Sequence, residues 1–249
     1  AWRDVTPDEW IEFQKKRRAA LIENADEPNE FLLQIMRDQT KDAVIRSNGT
    51  HFVRIEKAAA GIEPAKIDAF LQSVDETLDK LPEWRRLTPT GEVRPYTMVL
   101  GPVSGRASAY TYTGHDTIFF SAKDVNSIFD APKDYKGWFM PSANVTNENL
   151  YTIAHELGHT TDTWIHSDKR GRFIGSVRRK YPDAFSRYSK TDSEEAYAEL
   201  FAEWLIGDKT NPAVAAVADR FGWNLTAQEY YDSFGSMGTA WKPRRIWTD

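Results

Sequence analysis

Apolar positions recur every three to four residues over several stretches and give way near the middle of the chain to short runs of β-branched and aromatic residues. Helices flanking a small sheet are the expected outcome. Thr6-Pro7-Asp8-Glu9 reads as a capping box with Pro at the first helical position, leading into Trp10, Ile11 and Phe13 and on to Leu21 and Ile22. A second helix is expected from Pro28 through Phe31, Leu32, Ile35 and Met36 to about Ile45, stopped by the turn signal Ser47-Asn48-Gly49. After Pro64, the positions Ile67, Phe70, Leu71, Val74, Leu78 and Leu81 form one apolar stripe that ends at Leu81-Pro82. Residues 1–60 therefore read as an N-terminal helical extension and residues 61–249 as the main domain.

Between Val93 and Ala122 the runs Tyr96 to Leu100, Ala107 to Thr113 and Thr117 to Ser121 are separated by Gly101, Gly105 and Gly114. They predict a small mixed or antiparallel sheet. Pro132 to Ser142 reads as a loop, and Asn147 to His166 as a helix that buries Leu150, Ile153, Leu157 and Trp164. Asp192 begins a helical segment that stops at Gly207, and Asn211-Pro212 begins another that stops near Gly222. The fold class is α+β and mostly helical.

Composition narrows the function classes. Of 249 residues, 41% are hydrophobic and 13% aromatic, which excludes wholesale disorder. A net charge of -5, from 32 basic and 37 acidic residues, gives no general attraction to phosphate backbones, so a nucleic-acid partner is disfavoured. Lys15-Lys16-Arg17-Arg18 is the only dense basic run and reads as a solvated helix face. No apolar run approaches the roughly 20 residues that cross a bilayer, so a soluble chain without a membrane span is expected. Cysteine is absent, which leaves His and carboxylates to hold any metal.

The strongest chemical signal is His155-Glu156-Leu157-Gly158-His159. Two imidazoles four positions apart on a helix project from one face and can share a single zinc ion. A hydrolytic zinc site needs a third protein ligand and an open position for water. An extension to a third His fails, because the six-residue step from His159 falls on Ile165 and not on His166. A carboxylate from another helix is the remaining source, and Glu195, Glu199 and Glu203 lie at intervals of four among Ala, Phe and Leu. One of them can bind the metal while the next hydrogen-bonds a ligating imidazole. His51 and His115 fall in turn or loop segments with nothing to recruit them.

These residues resemble the gluzincin metallopeptidases, and most specifically the catalytic domain of anthrax lethal factor-like proteins. The resemblance rests on the His-Glu-x-Gly-His helix with Asp162 three residues on, followed by Tyr188-Ser189-Lys190-Thr191 and Glu195-Ala196-Tyr197-Ala198-Glu199 within the second helical segment. It is specific from about Leu150 to Leu205, extends plausibly back to Pro64, and does not cover residues 1–60. It implies a zincin-like fold and one Zn2+ per chain, bound by His155, His159 and Glu195. It also implies Glu156 as general base, Tyr188 as donor to the developing oxyanion, Glu199 as the acid behind a ligating His, and a protein or peptide substrate. Asp162 is read as a supporting residue near the ligands. Sliding the register by four makes Glu199 the ligand but sets Asp192 where the Tyr belongs, so Glu195 is favoured. The resemblance further implies that Thr117 to Ser121 is an edge strand able to align an extended peptide. Such domains occur in delivered toxins and in phage and mobile-element proteins. Two other readings are a zincin-like module that binds a protein partner without cleaving it, and a mobile-element protein associated with nucleic acid.

Overall fold

The computed structural model describes residues 1–21, 25–87, 91–103, 105, 107–111, 116–127, 137–141, 148–162, 164–207 and 209–234, except the side chains of 20–21, 126–127, 148–149 and 164–168. The chain opens with strand β1 (Arg3–Val5) and helix α1 (Pro7–Leu21). The capping box forms as expected: the Thr6 N–H donates to the Glu9 carboxylate at 2.7 Å, and the Glu9 N–H donates to Thr6 Oγ1 at 3.2 Å. Trp10, Phe13, Gln14 and Arg17, spaced i, i+3, i+4 and i+7, turn inward. Trp10 and Phe13 build a small core with Ile45 and Phe52, where the Phe13 and Phe52 rings stack at 3.6 Å. The basic run is thus not wholly solvated, because helical periodicity carries Arg17 inward to 6% exposure.

Helix α2 (Glu30–Asp38) is capped by the Asn29 side chain and ends well before Ile45. Ile45 instead lies in strand β2 (Val44–Ser47), whose alternating exposure sends Ile45 and Ser47 inward. A turn leads into β3 (Phe52–Ile55); the Asn48 side-chain carbonyl accepts from the Thr50 and His51 N–H groups, and Gly49 adopts φ +96°. The first sixty residues therefore supply three strands as well as two helices, which corrects the expectation of a helical extension. Local periodicity near Val44 is too short to separate strand from helix, and pairing with β3 decides it.

The rest of the chain contributes α3 (Pro64–Asp79), α4 (Glu83–Arg86), β4 (Thr97–Gly101), β5 (Ala109–Thr111), β6 (Thr117–Ser121) and α5 (Ala122–Ser127). Then follow α6 (Glu148–Thr161), α7 (Trp164–Lys180), α8 (Ser193–Ile206), α9 (Pro212–Phe221) and α10 (Ala227–Phe234). The sheet is six-stranded and mixed, in the order β1-β2-β3-β4-β6-β5. The pairs β3/β4 and β4/β6 are parallel and the others antiparallel. Its pairing runs across residue 60, from Phe52 opposite Thr97 to Ile55 opposite Leu100. β6 is an interior strand and not an edge: its Ile118 and Phe120 are buried, while half-exposed β5 occupies the edge beside it. The expected loop at Pro132 to Ser142 falls mostly outside the described residues, as do His115 and the C-terminal Trp241 and Trp247.

The principal core joins the sheet to α3, α6 and α8 through Met98, Leu100, Ile118 and Phe120, Phe70 and Val74, Ile153 and Leu157, and Ala196 to Leu205. α6 stops at Thr161 and does not run on to His166. The hydroxyls of Thr160 and Thr161 donate back to the carbonyls of Leu157 and Gly158 at 2.7 and 2.8 Å, a bonding mode that competes with helix continuation. α8 begins on the Asp192 cap, which accepts from the Glu195 N–H at 2.8 Å, and ends at Gly207 as expected. It is buried from Ala196 to Leu205, so Glu199 and Glu203 sit inside the core and not on a wet face.

Candidate metal centre

The His pair and the acids meet because α6 and α8 lie against each other with almost no space between backbones. A β-carbon placed on Gly158 would come within 2.8 Å of the Ala198 Cα and 3.1 Å of its carbonyl oxygen. A glycine inside the motif is what allows the approach. Across this contact the Glu195 carboxylate reaches His155 Nε2 at 3.0 Å and His159 Nε2 at 3.3 Å. The imidazole centroids are 4.9 Å apart.

His155, His159 and Glu195 each offer a ligand atom, all within 4.8 Å of one another, and the trio could hold a metal ion. Four ligands about 2.0–2.1 Å from a tetrahedral ion lie roughly 3.3 Å from each other, so the observed 3.0 and 3.3 Å separations are of the right size. Burial disfavours the charged form of Glu195, yet hydrogen bonds from His155 and His159 prevail and hold it well below the ordinary carboxylate range. His159 is itself raised: burial pulls it down, and the hydrogen bond and charge of Glu195 more than offset that.

Glu199 lies behind the first imidazole. Its Oε1 sits 3.0 Å from His155 Nδ1, while Oε2 accepts from the Met140 N–H at 3.0 Å and from Ser186 Oγ at 2.9 Å. For His155 Nε2 to present its lone pair to a metal, the ring proton must be on Nδ1, and Glu199 is placed to receive that hydrogen bond. Burial pushes Glu199 up to about 8, with the Met140 N–H opposing the rise. Glu199 thus faces Nδ1 and Glu195 faces Nε2 of the same ring, and of these two acids it is Glu195 that joins both histidines in the group that could hold a metal ion.

Glu156 is buried, and its Oε2 has no hydrogen-bond partner among the described residues. Burial raises its pKa, with the nearby imidazoles opposing. A buried carboxylate oxygen without a partner is unfavourable unless a further group engages it. Tyr188 lies on a short 3-10 turn (Tyr188–Lys190) with its ring 5.8 Å from that of His155. Burial, followed by the charge and hydrogen bonding of Glu195, raises its pKa and keeps the phenol protonated.

Asp162 is fully buried and is spoken for by Arg170, at 2.5 Å. Burial pushes it up to about 6 against the pull of that guanidinium. His166 belongs to α7, with its side chain outside the described residues. His51 is distant in role: its Nδ1 accepts from the Tyr96 N–H at 3.1 Å beside the β2–β3 turn.

Several contributors escape sequence reasoning. Ser186 and the Met140 N–H have no local signature, since a lone Ser and a main-chain donor in a loop look like any other. The segment 137–141 is tied down by hydrogen bonds from the Arg187 and Tyr188 N–H groups to the carbonyls of Gly137 and Trp138, at 3.0 and 2.8 Å. This leaves Trp138 beside Tyr188 and 43% exposed. Only Gly158 carried a clue, as a glycine within an otherwise continuous helical stripe. A cleft of about 900 Å³ between α1 and the β2–β3 turn, lined by Phe13, Phe52, Glu92 and Val93, lies apart from these residues. Comparison of the chain with protein families, curated proteins and solved structures gives no match.

Proposed function

We propose that the protein is a zinc-dependent endopeptidase of the gluzincin type. The observation that carries this reading is the convergence of His155, His159 and Glu195 from two helices, with Oε2 of the buried Glu156, the residue after His155, lacking a hydrogen-bond partner among the described residues. Two imidazole nitrogens and one carboxylate oxygen, leaving a fourth position open, suit a catalytic zinc. Oxygen-only cations would call for more carboxylates, and the chain has no thiolate to offer softer metals.

Zinc bound here supplies Lewis acidity, lowering the pKa of water to about 7 and polarising a carbonyl. Glu156 would accept the proton of the attacking water and pass it to the departing amine; burial, which raises its pKa, favours the first of these transfers by making the carboxylate a stronger base. Tyr188, held protonated, donates a hydrogen bond to the carbonyl oxygen as negative charge develops on it. Glu199, when ionised against the burial that raises its pKa, would accept from the His155 Nδ1–H and hold the ring in the tautomer that presents Nε2. Trp138, exposed next to Tyr188, offers an apolar surface to a side chain of the bound peptide.

Glu156→Gln tests the reading. The expected result is unchanged zinc content with peptide cleavage reduced by about 10²- to 10⁴-fold. Wild-type cleavage by this variant refutes the assignment of the base. A wild-type protein that holds zinc yet cleaves nothing in a broad peptide screen favours the module that binds proteins without proteolysis.

A further inference from the structure

The two ligand-bearing helices are pinned where Gly158 meets Ala198, but Glu195 lies in the first turn of α8, three residues before that pivot. The Thr161 and Tyr197 hydroxyls, 3.2 Å apart, tie the helices again on the C-terminal side of Glu195, and a small swing of the α8 N-terminus would still carry the Glu195 carboxylate out of reach of the imidazoles. Arg170 supplies an attachment on the N-terminal side. It is 5% exposed, and its guanidinium spans both helix ends. Nη1 donates to Asp162 at 2.5 Å, three residues beyond His159; Nη2 donates to Glu194 at 3.2 Å, the residue before Glu195; Nε reaches Ser193 Oγ at 3.4 Å.

We propose that Arg170 is a positioning residue for the metal centre: its guanidinium fixes the first turn of α8 against the end of α6 and so sets how tightly His155, His159 and Glu195 hold the ion. This rests on the metal-binding reading above. The planar fork matters as much as the charge. Three donors in one plane fix the directions of Asp162, Ser193 and Glu194 together, whereas a lysine ammonium can satisfy Asp162 while leaving α8 to turn. The contributions are unequal by burial: the Asp162 side chain is fully enclosed and anchors the arginine, while that of Glu194 is 55% exposed and acts as a guide for direction more than as a source of binding energy.

The test uses the whole protein and two probe ions. Zinc affinity is measured by competition with a chromogenic chelator at a temperature far below unfolding, and the visible d–d bands of the Co2+-loaded protein report ligand geometry. Arg170→Lys is expected to weaken zinc binding by about tenfold or more and to shift the cobalt bands, in the range usual for groups that orient metal ligands. The double variant Ser193→Ala/Glu194→Gln keeps the buried Arg170–Asp162 pair and hence the fold. It is expected to weaken binding several-fold, with a matching change in the cobalt spectrum and an unchanged melting temperature for the metal-free protein. This double variant decides the matter if Arg170→Lys does not fold. Wild-type zinc affinity and an unaltered cobalt spectrum in the folded variants overturn the role of Arg170. Failure of the wild-type protein to take up either ion overturns the metal reading itself, and the two failures are distinguished by the wild-type titration alone.

Discussion

Gly158 and Ala198 touch backbone to backbone at the crossing of the two helices that carry His155, His159 and Glu195, with space for a hydrogen and none for a methyl group. On an exposed helix, Gly→Ala stabilises by up to about 1 kcal/mol. Here the sign reverses. The added methyl must push α8 away, which typically costs about 1–3 kcal/mol. Gly158→Ala is expected to lower the urea midpoint and, by moving Glu195 away from the imidazoles, to weaken zinc binding as well. A variant more stable than wild type rules out the close crossing.

The two acids of α8 are expected to separate cleanly in a zinc assay. If zinc is held as proposed, Glu195→Ala removes one of its three ligands and should abolish stoichiometric zinc after dialysis. Glu199→Ala keeps all three ligand atoms but removes the group behind His155 Nδ1, so a weakening of about 10- to 100-fold is expected. Elemental analysis together with chelator competition measures both, and a greater loss in Glu199→Ala would reverse the register.

Tyr188→Phe should leave zinc content unchanged and reduce kcat by roughly 10²- to 10³-fold, the usual effect of deleting one donor to a developing oxyanion. A loss confined to KM would instead make Tyr188 a substrate contact only.

The acid limb of stability should carry a contribution from His51. Burial depresses its pKa to about 4 from the ordinary 6.5, and its Nδ1 must stay unprotonated to accept from the Tyr96 N–H. Since the unfolded chain takes up this proton first, the contribution is fully present above pH 6.5 and is lost as pH falls toward 4. The gap corresponds to at most about 3–4 kcal/mol at 1.36 kcal/mol per pH unit. The difference between wild type and His51→Gln in urea titrations at pH 7 and pH 4.5 isolates it; an equal difference at both pH values removes His51 from the account.

Arg85 and Asp116 form an ion pair at 2.6 Å with both side chains almost wholly enclosed. Removing the Asp116 carboxylate takes a charged partner from a buried guanidinium, so Asp116→Ala is expected to destabilise by about 3–5 kcal/mol in chemical denaturation. A loss under 1 kcal/mol would mean that this ion pair is not what holds Arg85 in the core.

Much of the local structure was legible in the residues themselves. The capping box at Thr6 and Glu9, the stops at Gly207 and Gly222, and the shared face of His155 and His159 all depend on groups within one or two helical turns, where covalent geometry alone sets who meets whom. The absence of Cys likewise limited the ligands before any fold was considered. What tertiary structure decided was the relationships across long sequence separations, of which only the pairing of Glu195 with the two histidines was anticipated, through the resemblance. Ile45 entered a strand and not a helix because β3 was there to pair with it, and β6 became interior because β5 took the edge. Of the acids spaced along α8, Glu195 faces both imidazoles and Glu199 only the rear of His155, since that choice follows from how α8 turns about the Gly158–Ala198 contact. Arg170 and Ser186 bear no mark of their placement in the sequence, because a side chain's partners are set by which helices lie alongside it, and that is settled by burial of the whole core.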